Sequence, residues 1–205
     1  MRIVEWMPPL FRDRGAAGRA LAEAVGPLDL DAPIVVGVAR GGVAVALEVA
    51  RALGVPVTAV DVERVNAHGL RLGATTARGP AYVLEGHEAP DEIVERARRD
   101  AEQLEARLDH EQLPVAGRVV LVVDDGAITG LTLCAACRWA RAEGASRVVA
   151  ATPVAHVRGL VRIREEADDV VCPHALDEIA VVGQAYDTFD ALDEWYVAAL
   201  LSRAR

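Results

Sequence analysis

Apolar stretches of strand length recur along the chain, and most of them are followed by a segment with helical spacing. Runs rich in β-branched residues at this length are typical of buried parallel strands, which are covered on both faces. The predicted strands are Pro33–Ala39, Val55–Val62, Arg118–Asp124 and Arg147–Pro153, with shorter ones at Ala81–Leu84 and Val170–Cys172.

Apolar residues spaced three and four apart predict amphipathic helices between these strands. The clearest helix is Asp91–His110, which packs on the body or forms part of a dimer interface; the others are 12–25, Val43–Leu53, Gly130–Glu143, Val157–Glu166 and Asp190–Arg203. Alternation of strands and helices predicts an α/β domain built on a parallel sheet. Residues 64–80 contain three glycines and no clear period, which predicts a long loop of functional importance.

Composition narrows the classes of function. All 22 basic residues are arginine, so chemistry that needs a lysine amine, including a Walker A site, is excluded. The 31 acidic residues give a net charge of −9, which would repel nucleic acid. Neither serine lies in a G-x-S-x-G motif, so a serine hydrolase of that type is excluded as well.

The compartment expected for the protein is the cytoplasm. Three cysteines are too few for a disulfide framework, and no signal peptide or membrane span is apparent. Cys134 and Cys137 lie one helical turn apart and are expected to be small core residues, with a zinc site completed by Cys172 and His174 as the alternative.

The segment from Val119 to Thr132 carries the candidate chemistry. A buried strand ends in Asp124 and Asp125, a glycine-bearing loop follows, and a helix begins near Gly130. Loops at the carboxyl ends of parallel strands bind ligands, and the free amides at a helix start favour an anion. We therefore expect this loop to hold a phosphate, with the two acids facing sugar hydroxyls or Mg²⁺.

Three other phosphate-binding motifs do not match the sequence. Leu131 follows Gly130 where a Walker A loop needs lysine, and no G-x-G-x-x-G is present. A haloacid-dehalogenase-type phosphatase would need D-x-D and a lysine, whereas these acids are adjacent.

Apolar residues, two acids and T-G-x-T in this order resemble the 5-phosphoribosyl-1-diphosphate (PRPP) motif of type I phosphoribosyltransferases. The segments 38–42, 11–14, 18–21 and 182–189 are similar to a little-characterised bacterial branch of that family. The resemblance implies a single domain over 1–205 with the Rossmann-like phosphoribosyltransferase fold. Its core would span about 30–170, and a small hood would come from about 1–28 and 172–205.

The resemblance also assigns roles to residues. It implies that Asp124, Asp125 and Arg64 are catalytic, with the two acids holding the ribose hydroxyls and contacting Mg²⁺ only indirectly. The substrate-binding residues that it implies are Gly126, Ala127, Ile128, Thr129, Gly130, Leu131 and Thr132 for the 5-phosphate, Arg40, Gly41 and Gly42 for the diphosphate, and Gln184 and Tyr186 in the hood, near Phe189.

The function implied is Mg²⁺-dependent transfer of 5-phosphoribosyl from PRPP to a small nitrogen heterocycle, in a homodimer that binds neither nucleic acid nor membrane. Glu63 stands near the expected diphosphate and would repel it if it pointed inward, and Ile128 stands where purine-type members carry an acid. A base would then come from the hood, with His174, Asp177 and Glu178 as candidates. Two alternatives stay open: a non-catalytic PRPP-binding regulatory or partner protein, and a hydrolase or phosphorylase of a phosphorylated ribose compound.

Overall fold

A central sheet of seven strands organises the molecule. The computed structural model describes residues 8–108 and 112–203. The strands are β1 (Ile34–Ala39), β2 (Val57–Ala67), β3 (Leu70–Thr76), β4 (Tyr82–Val83), β5 (Val119–Val123), β6 (Arg147–Ala151) and β8 (Asp169–Val171), with β7 (Val154–His156) and β9 (His174–Leu176) in a separate pair. The sheet order is β4-β3-β2-β1-β5-β6-β8, and the five strands from β2 to β8 run parallel. This confirms the predicted α/β class.

Within residues 8–108 and 112–203, six α-helices cover the sheet or flank it. They are α1 (Arg14–Val25), α2 (Gly41–Leu53), α3 (Asp91–Leu108), α4 (Leu131–Ala142), α5 (Val157–Glu166) and α6 (Glu194–Ser202), and a short 3-10 helix spans Val182–Ala185. The first helix begins two residues later than predicted because Asp13 is its N-cap, with a side chain that accepts from the Ala16 amide. None of the helices within residues 8–108 and 112–203 is long and apolar enough to cross a bilayer.

The prediction of a long loop over residues 64–80 is wrong. Most of this segment is an antiparallel hairpin of β2 and β3, closed by a two-residue turn in which His68 and Gly69 have φ of 51° and 76°. Such turns suit paired left-handed residues. Gly73 lies within β3. Glycine is needed there because a Cβ would overlap the carbonyl oxygen of Tyr82 on β4.

Alternate residues of the central strands face two different hydrophobic layers. Val36 and Val38 of β1 pack with α4, whereas Val35 packs with α1 and α2. Cys134 and Cys137 are buried in the first layer, where burial raises the pKa of the Cys134 thiol to about 12. Among residues 8–108 and 112–203 no group of three potential metal-ligating side chains occurs. Both thiols therefore behave as small apolar core groups.

The amino-terminal and carboxy-terminal segments pack against each other. The amides of Leu10 and Phe11 donate to the Ala185 carbonyl, and the Asp187 amide donates back to the Phe11 carbonyl. The rings of Phe11 and Tyr186 are 5.5 Å apart in the same apolar cluster. These two segments, 8–13 and 182–190, are called the hood below.

Candidate functional site

The candidate site lies at the edge of the sheet where β1 and β5 end. The two strands are parallel neighbours, so the loops that follow them open on the same edge. Asp124 and Asp125 follow β5 directly, and residues 126–130 lead into α4. Arg40 follows β1, and α2 begins at Gly41.

Residues 126–132, called the anion loop below, present unpaired donors. The backbone amides of 128–132 and the hydroxyls of Thr129 and Thr132 make no hydrogen bond to any described residue. Unpaired amides at the start of a helix are suited to bind an anion. Gly130 has a φ of 78°, a left-handed conformation that lets the turn enter α4 without strain.

The anion loop is held in place from two sides. Ala127 forms a β-bridge with Ala155, and its amide donates to the carbonyl of Val154. A Cβ on Gly159 would stand 2.7 Å from the Ile128 carbonyl oxygen, so α5 packs directly on the loop backbone. The loop is therefore pre-organised, and an anion would meet amides that need little rearrangement.

The two acids differ in their surroundings. Asp125 is buried, with 9% of its surface exposed, whereas Asp124 is partly exposed. The Oδ1 atom of Asp124 accepts from the amide of Asp125 at 2.9 Å. Burial and the neighbouring Asp125 raise the pKa of Asp124 well above its usual value, because each disfavours the charged form.

Arg14 at the start of α1 forms an ion pair with Asp125. Its Nε donates to Oδ2 of Asp125 at 2.7 Å, and both side chains are 12% exposed. Burial raises the pKa of Asp125, and the hydrogen bond and charge of Arg14 oppose this shift. The pair joins α1 to the acid pair at the end of β5.

The loop between β1 and α2 touches both acids. A Cβ on Gly41 would overlap the carboxylate of Asp125, and one on Gly42 would stand 2.9 Å from the Cα of Asp124. Glycine is required at both positions because the acid pair approaches so closely. Arg40, which precedes these two glycines, is exposed.

The hairpin places Arg64 and Glu63 on opposite faces of β2. Arg64 is exposed. Its positive charge lowers the pKa of Asp124, so it contributes positive potential at the acid pair. Glu63 raises the pKa of Asp61, which lies two residues away on the same face of the strand. Glu63 therefore adds negative charge near the buried Asp61.

The predicted hood residues Gln184 and Tyr186 use their side chains for contacts within the protein. The side-chain oxygen of Gln184 accepts from the amides of Ala180 and Val181, and the buried Tyr186 hydroxyl donates to the Asp125 carbonyl. The His174 ring meets the ring of Phe11 edge-on at 5.4 Å. These contacts fix the hood on the acid pair.

Sequence reasoning gave no role to two charged residues near this edge, Arg14 and Asp61. Asp61 is paired with Ala39 in the β1–β2 register and is 2% exposed, and neither of its carboxylate oxygens has a hydrogen-bond partner among the described residues. A charged residue inside the apolar strand Val55–Val62 is the sequence signal for Asp61. Arg14 belongs to the segment 11–14 already noted for its resemblance.

The phosphoribosyl transferase domain model matches residues 14–188. The chain belongs to this family. A Mycobacterium tuberculosis protein named as a phosphoribosyl transferase is 36% identical over 211 residues, covering 95% of this chain and 47% of that protein. The chain thus spans about half the length of the curated relative that it matches.

Solved structures support the type I phosphoribosyltransferase fold. TT1426 from Thermus thermophilus has a TM-score of 0.83 and 36% identity, covering 97% of this chain and 99% of that one. A purine phosphoribosyltransferase from Pyrococcus horikoshii has a TM-score of 0.50 and 20% identity over 86% of this chain and 91% of that one. The second likeness concerns the fold alone.

Proposed function

We propose that this protein transfers a 5-phosphoribosyl group from PRPP to a small nitrogen heterocycle and releases diphosphate. One observation carries the proposal: a run of amides at residues 128–132, unpaired among the described residues, lies directly after a carboxylate pair at the sheet edge where β1 and β5 end. A phosphate and a diol at fixed separation, as in a 5-phosphoribosyl group, match these two features.

The proposed roles follow from this placement. The anion loop, Gly126–Thr132, holds the 5-phosphate, and Asp124 and Asp125 lie at the ribose diol. Arg40, Gly41 and Gly42 face the diphosphate, with Arg64 approaching from the hairpin. The bond from C1 of the ribose to the diphosphate oxygen breaks, and a bond from C1 to the acceptor nitrogen forms. Two guanidinium groups then stabilise the negative charge of the departing diphosphate.

The donor set fits a Mg²⁺ ion that is held mainly by the ligand. Within the described ranges 8–108 and 112–203 no three acidic, histidine or cysteine side chains form a cage, while Asp124 is partly exposed at the site. Mg²⁺ is commonly bound by one or two carboxylates together with substrate phosphates. When bound, the ion neutralises charge on the diphosphate.

A PRPP-binding protein without catalysis is the second candidate. The anion loop contains no acid or histidine, and Ile128 packs against the hood cluster, so the loop offers no general base. In that case the same pocket would bind PRPP and signal its presence to a partner. Hydrolysis or phosphorolysis of a phosphorylated ribose compound uses the same phosphate and diol contacts.

The setting that we propose is cytoplasmic, with a homodimer and no membrane or nucleic-acid partner. The net charge of −9 supports the last point because phosphate backbones would be repelled. The free thiols of Cys134, Cys137 and Cys172 suit a reducing compartment.

Calorimetry with PRPP and Mg²⁺, followed by a diphosphate-release assay over a panel of heterocyclic bases, tests the proposal. PRPP binding with release supports transfer, binding without release over the whole panel supports the second candidate, and release without any base supports hydrolysis. No binding of either PRPP or ribose 5-phosphate contradicts all three.

A substitution at Arg40 tests the proposed diphosphate-binding role. Arg40→Ala should weaken binding of PRPP by about tenfold and binding of ribose 5-phosphate much less, because only PRPP carries the diphosphate. Arg51→Ala at the other end of α2, where the guanidinium pairs with Glu48, is the matched control and should change neither. Equal losses for both ligands with Arg40→Ala would contradict the assignment.

A further inference from the structure

The anion loop turns three consecutive carbonyl oxygens toward β7 and α5. The Ala127 oxygen accepts from the amide of the last residue of β7 at 2.9 Å, and the Thr129 oxygen accepts from Nη1 of Arg162 on α5 at 3.2 Å. Between them, the Ile128 oxygen lies against Gly159, where a Cβ would stand 2.7 Å from it. Each carbonyl from 127 to 129 therefore meets β7 or α5.

The opposite sides of the same three peptide units face away from α5. These peptide bonds are trans, so the carbonyl and the N–H of each rigid unit point in opposite directions. The carbonyls of 127, 128 and 129 thus fix the amides of 128, 129 and 130, which are unpaired among the described residues. The contacts of β7 and α5 decide which way these three donors point.

The peptide unit between Thr129 and Gly130 has the most freedom of the three. Gly130 has a φ of 78°, and glycine populates positive and negative φ about equally, so its side of the unit resists rotation weakly. The hydrogen bond from Arg162 to the Thr129 carbonyl opposes that rotation, and its charged donor makes it stronger than a neutral one. A carbonyl that accepts a hydrogen bond also polarises the N–H of its own peptide unit.

Arg162 has no competing acid among the described residues. Its Nη1 donates to two carbonyls, that of Thr129 and, at 3.3 Å, that of Arg158, and the guanidinium forms no ion pair within residues 8–108 and 112–203. Arg138 of α4, by contrast, pairs with Glu166 at 2.7 Å. The half-buried Arg162 therefore places a positive charge that no carboxylate neutralises directly behind the anion loop.

We propose that Arg162 positions the phosphate-binding amides: by holding the Thr129 carbonyl from behind, its guanidinium aims the Gly130 amide at the 5-phosphate. This inference rests on the function proposed above and adds a positioning residue from outside the anion loop. Gly159 has a part in the same arrangement, because the absence of a side chain there lets α5 come close enough for Arg162 to reach the loop.

Calorimetry with inorganic phosphate and with ribose 5-phosphate tests the proposal. Arg162→Met removes the donor and keeps much of the apolar stem, so both ligands should bind about three- to tenfold more weakly, by the same factor, because they share the phosphate. Arg162→Lys keeps a charged donor and should stay within about twofold of the wild type. Arg164→Met is the matched control: it removes the same charge from an exposed position of α5 and should change neither affinity.

The amide resonance of Gly130 in nitrogen–proton correlation spectra reports on the same peptide unit. Phosphate should shift this resonance downfield in the wild type, in Arg162→Lys and in Arg164→Met, and much less in Arg162→Met. Urea unfolding of each variant separates this effect from a loss of stability. A variant that is less stable but keeps the phosphate affinity and the Gly130 shift would show that Arg162 supports the fold alone, which overturns the proposal.

If Arg162→Met fails to fold, Arg162→Gln takes its place, since its amide nitrogen ends at the position of Nε, short of the atom that contacts Thr129. Equal weakening by the substitutions at 162 and 164 would make the effect one of net charge and would also overturn the proposal, as would a loss limited to ribose 5-phosphate. Failure of the wild-type protein to bind either ligand would instead contradict the proposed function.

Discussion

One buried aspartate lies within β2 and another just beyond β5, the two strands on either side of β1, and of the two only Asp125 has a side-chain partner within residues 8–108 and 112–203. Asp125, beyond β5, is 9% exposed and pairs with Arg14 at 2.7 Å. Asp61, on β2, is 2% exposed, and its carboxylate has no hydrogen-bond partner in the part of the chain that the structure describes. Burial raises the pKa of both carboxyl groups, but Arg14 opposes the shift of Asp125, whereas the pKa of Asp61 rises to about 7.

The charges around Asp61 explain the difference. Glu105 of α3, Glu63 of β2 and Glu194 of α6 all raise its pKa, and Arg107 lowers it. The Nε of Arg107 already donates to Glu194 at 2.6 Å, so its charge is shared with that acid. A buried charge is tolerated where a charged partner is fixed beside it. Without such a partner, the buried charge lowers the stability of the folded state.

Removing the partner of Asp125 should have the largest effect on stability. Arg14→Met keeps much of the side-chain volume and leaves the acid unpaired, so the free energy of unfolding at pH 7 should fall by about 2–4 kcal/mol. Urea unfolding measures this. Arg12→Met is the matched control, because Arg12 pairs with the neighbouring Asp13 while 78% exposed, and its loss should stay below about 0.5 kcal/mol. Equal losses for the two variants would mean that the Arg14 pair contributes no more than a surface contact.

A second substitution neutralises the acid that has no partner. The pKa of Asp61 is near 4 when unfolded and about 7 when folded, so the folded state binds the extra proton and its stability falls as pH rises from 4 to 7. Asp61→Asn removes this cost and should stabilise the protein by about 2–4 kcal/mol at pH 8, with little gain at pH 4.

Urea unfolding at several pH values tests the Asp61 prediction. Glu63→Gln, on the same face of the same strand but partly exposed, should change stability much less at either pH. A loss of stability for Asp61→Asn at pH 8 would show that the charged form of Asp61 is favoured in the fold, contrary to its lack of a partner.

The acid pair and the anion loop could be predicted from the sequence, whereas the ion pair of Arg14 with Asp125 could not. Asp124, Asp125 and the anion loop are consecutive, so a buried strand followed by acids, glycine and threonine was enough to place them at one edge. The ion pair of Arg14 and Asp125 joins residues 111 positions apart, and no local pattern specifies it. The packing of α1 against α2 and the central strands brings Arg14 to the end of β5.

The loop prediction for residues 64–80 was wrong for a different reason. The glycines of this segment suggested a loop, yet His68 and Gly69 form a two-residue turn between segments in which Val65 and Ala67 alternate with exposed residues. That alternation was the available signal for a strand. Gly73 misled the prediction because its role, close approach to the Tyr82 carbonyl, depends on a neighbouring strand.

The smallest expected effect concerns Gly41, at the start of α2, which lies against the Asp125 carboxylate. A Cβ at residue 41 would overlap the Asp125 carboxylate, which Arg14 prevents from moving aside. Gly41→Ala should therefore cost about 1–2 kcal/mol of unfolding free energy in the wild-type protein. In the Arg14→Met background the carboxylate is free to rotate, so the same substitution should cost less than half as much. Gly26→Ala is the control, since a Cβ there meets only atoms at 3.5 Å or beyond and the residue lacks a positive φ. An equal cost of Gly41→Ala in both backgrounds would show that the backbone around residue 41, rather than the fixed carboxylate, excludes the side chain.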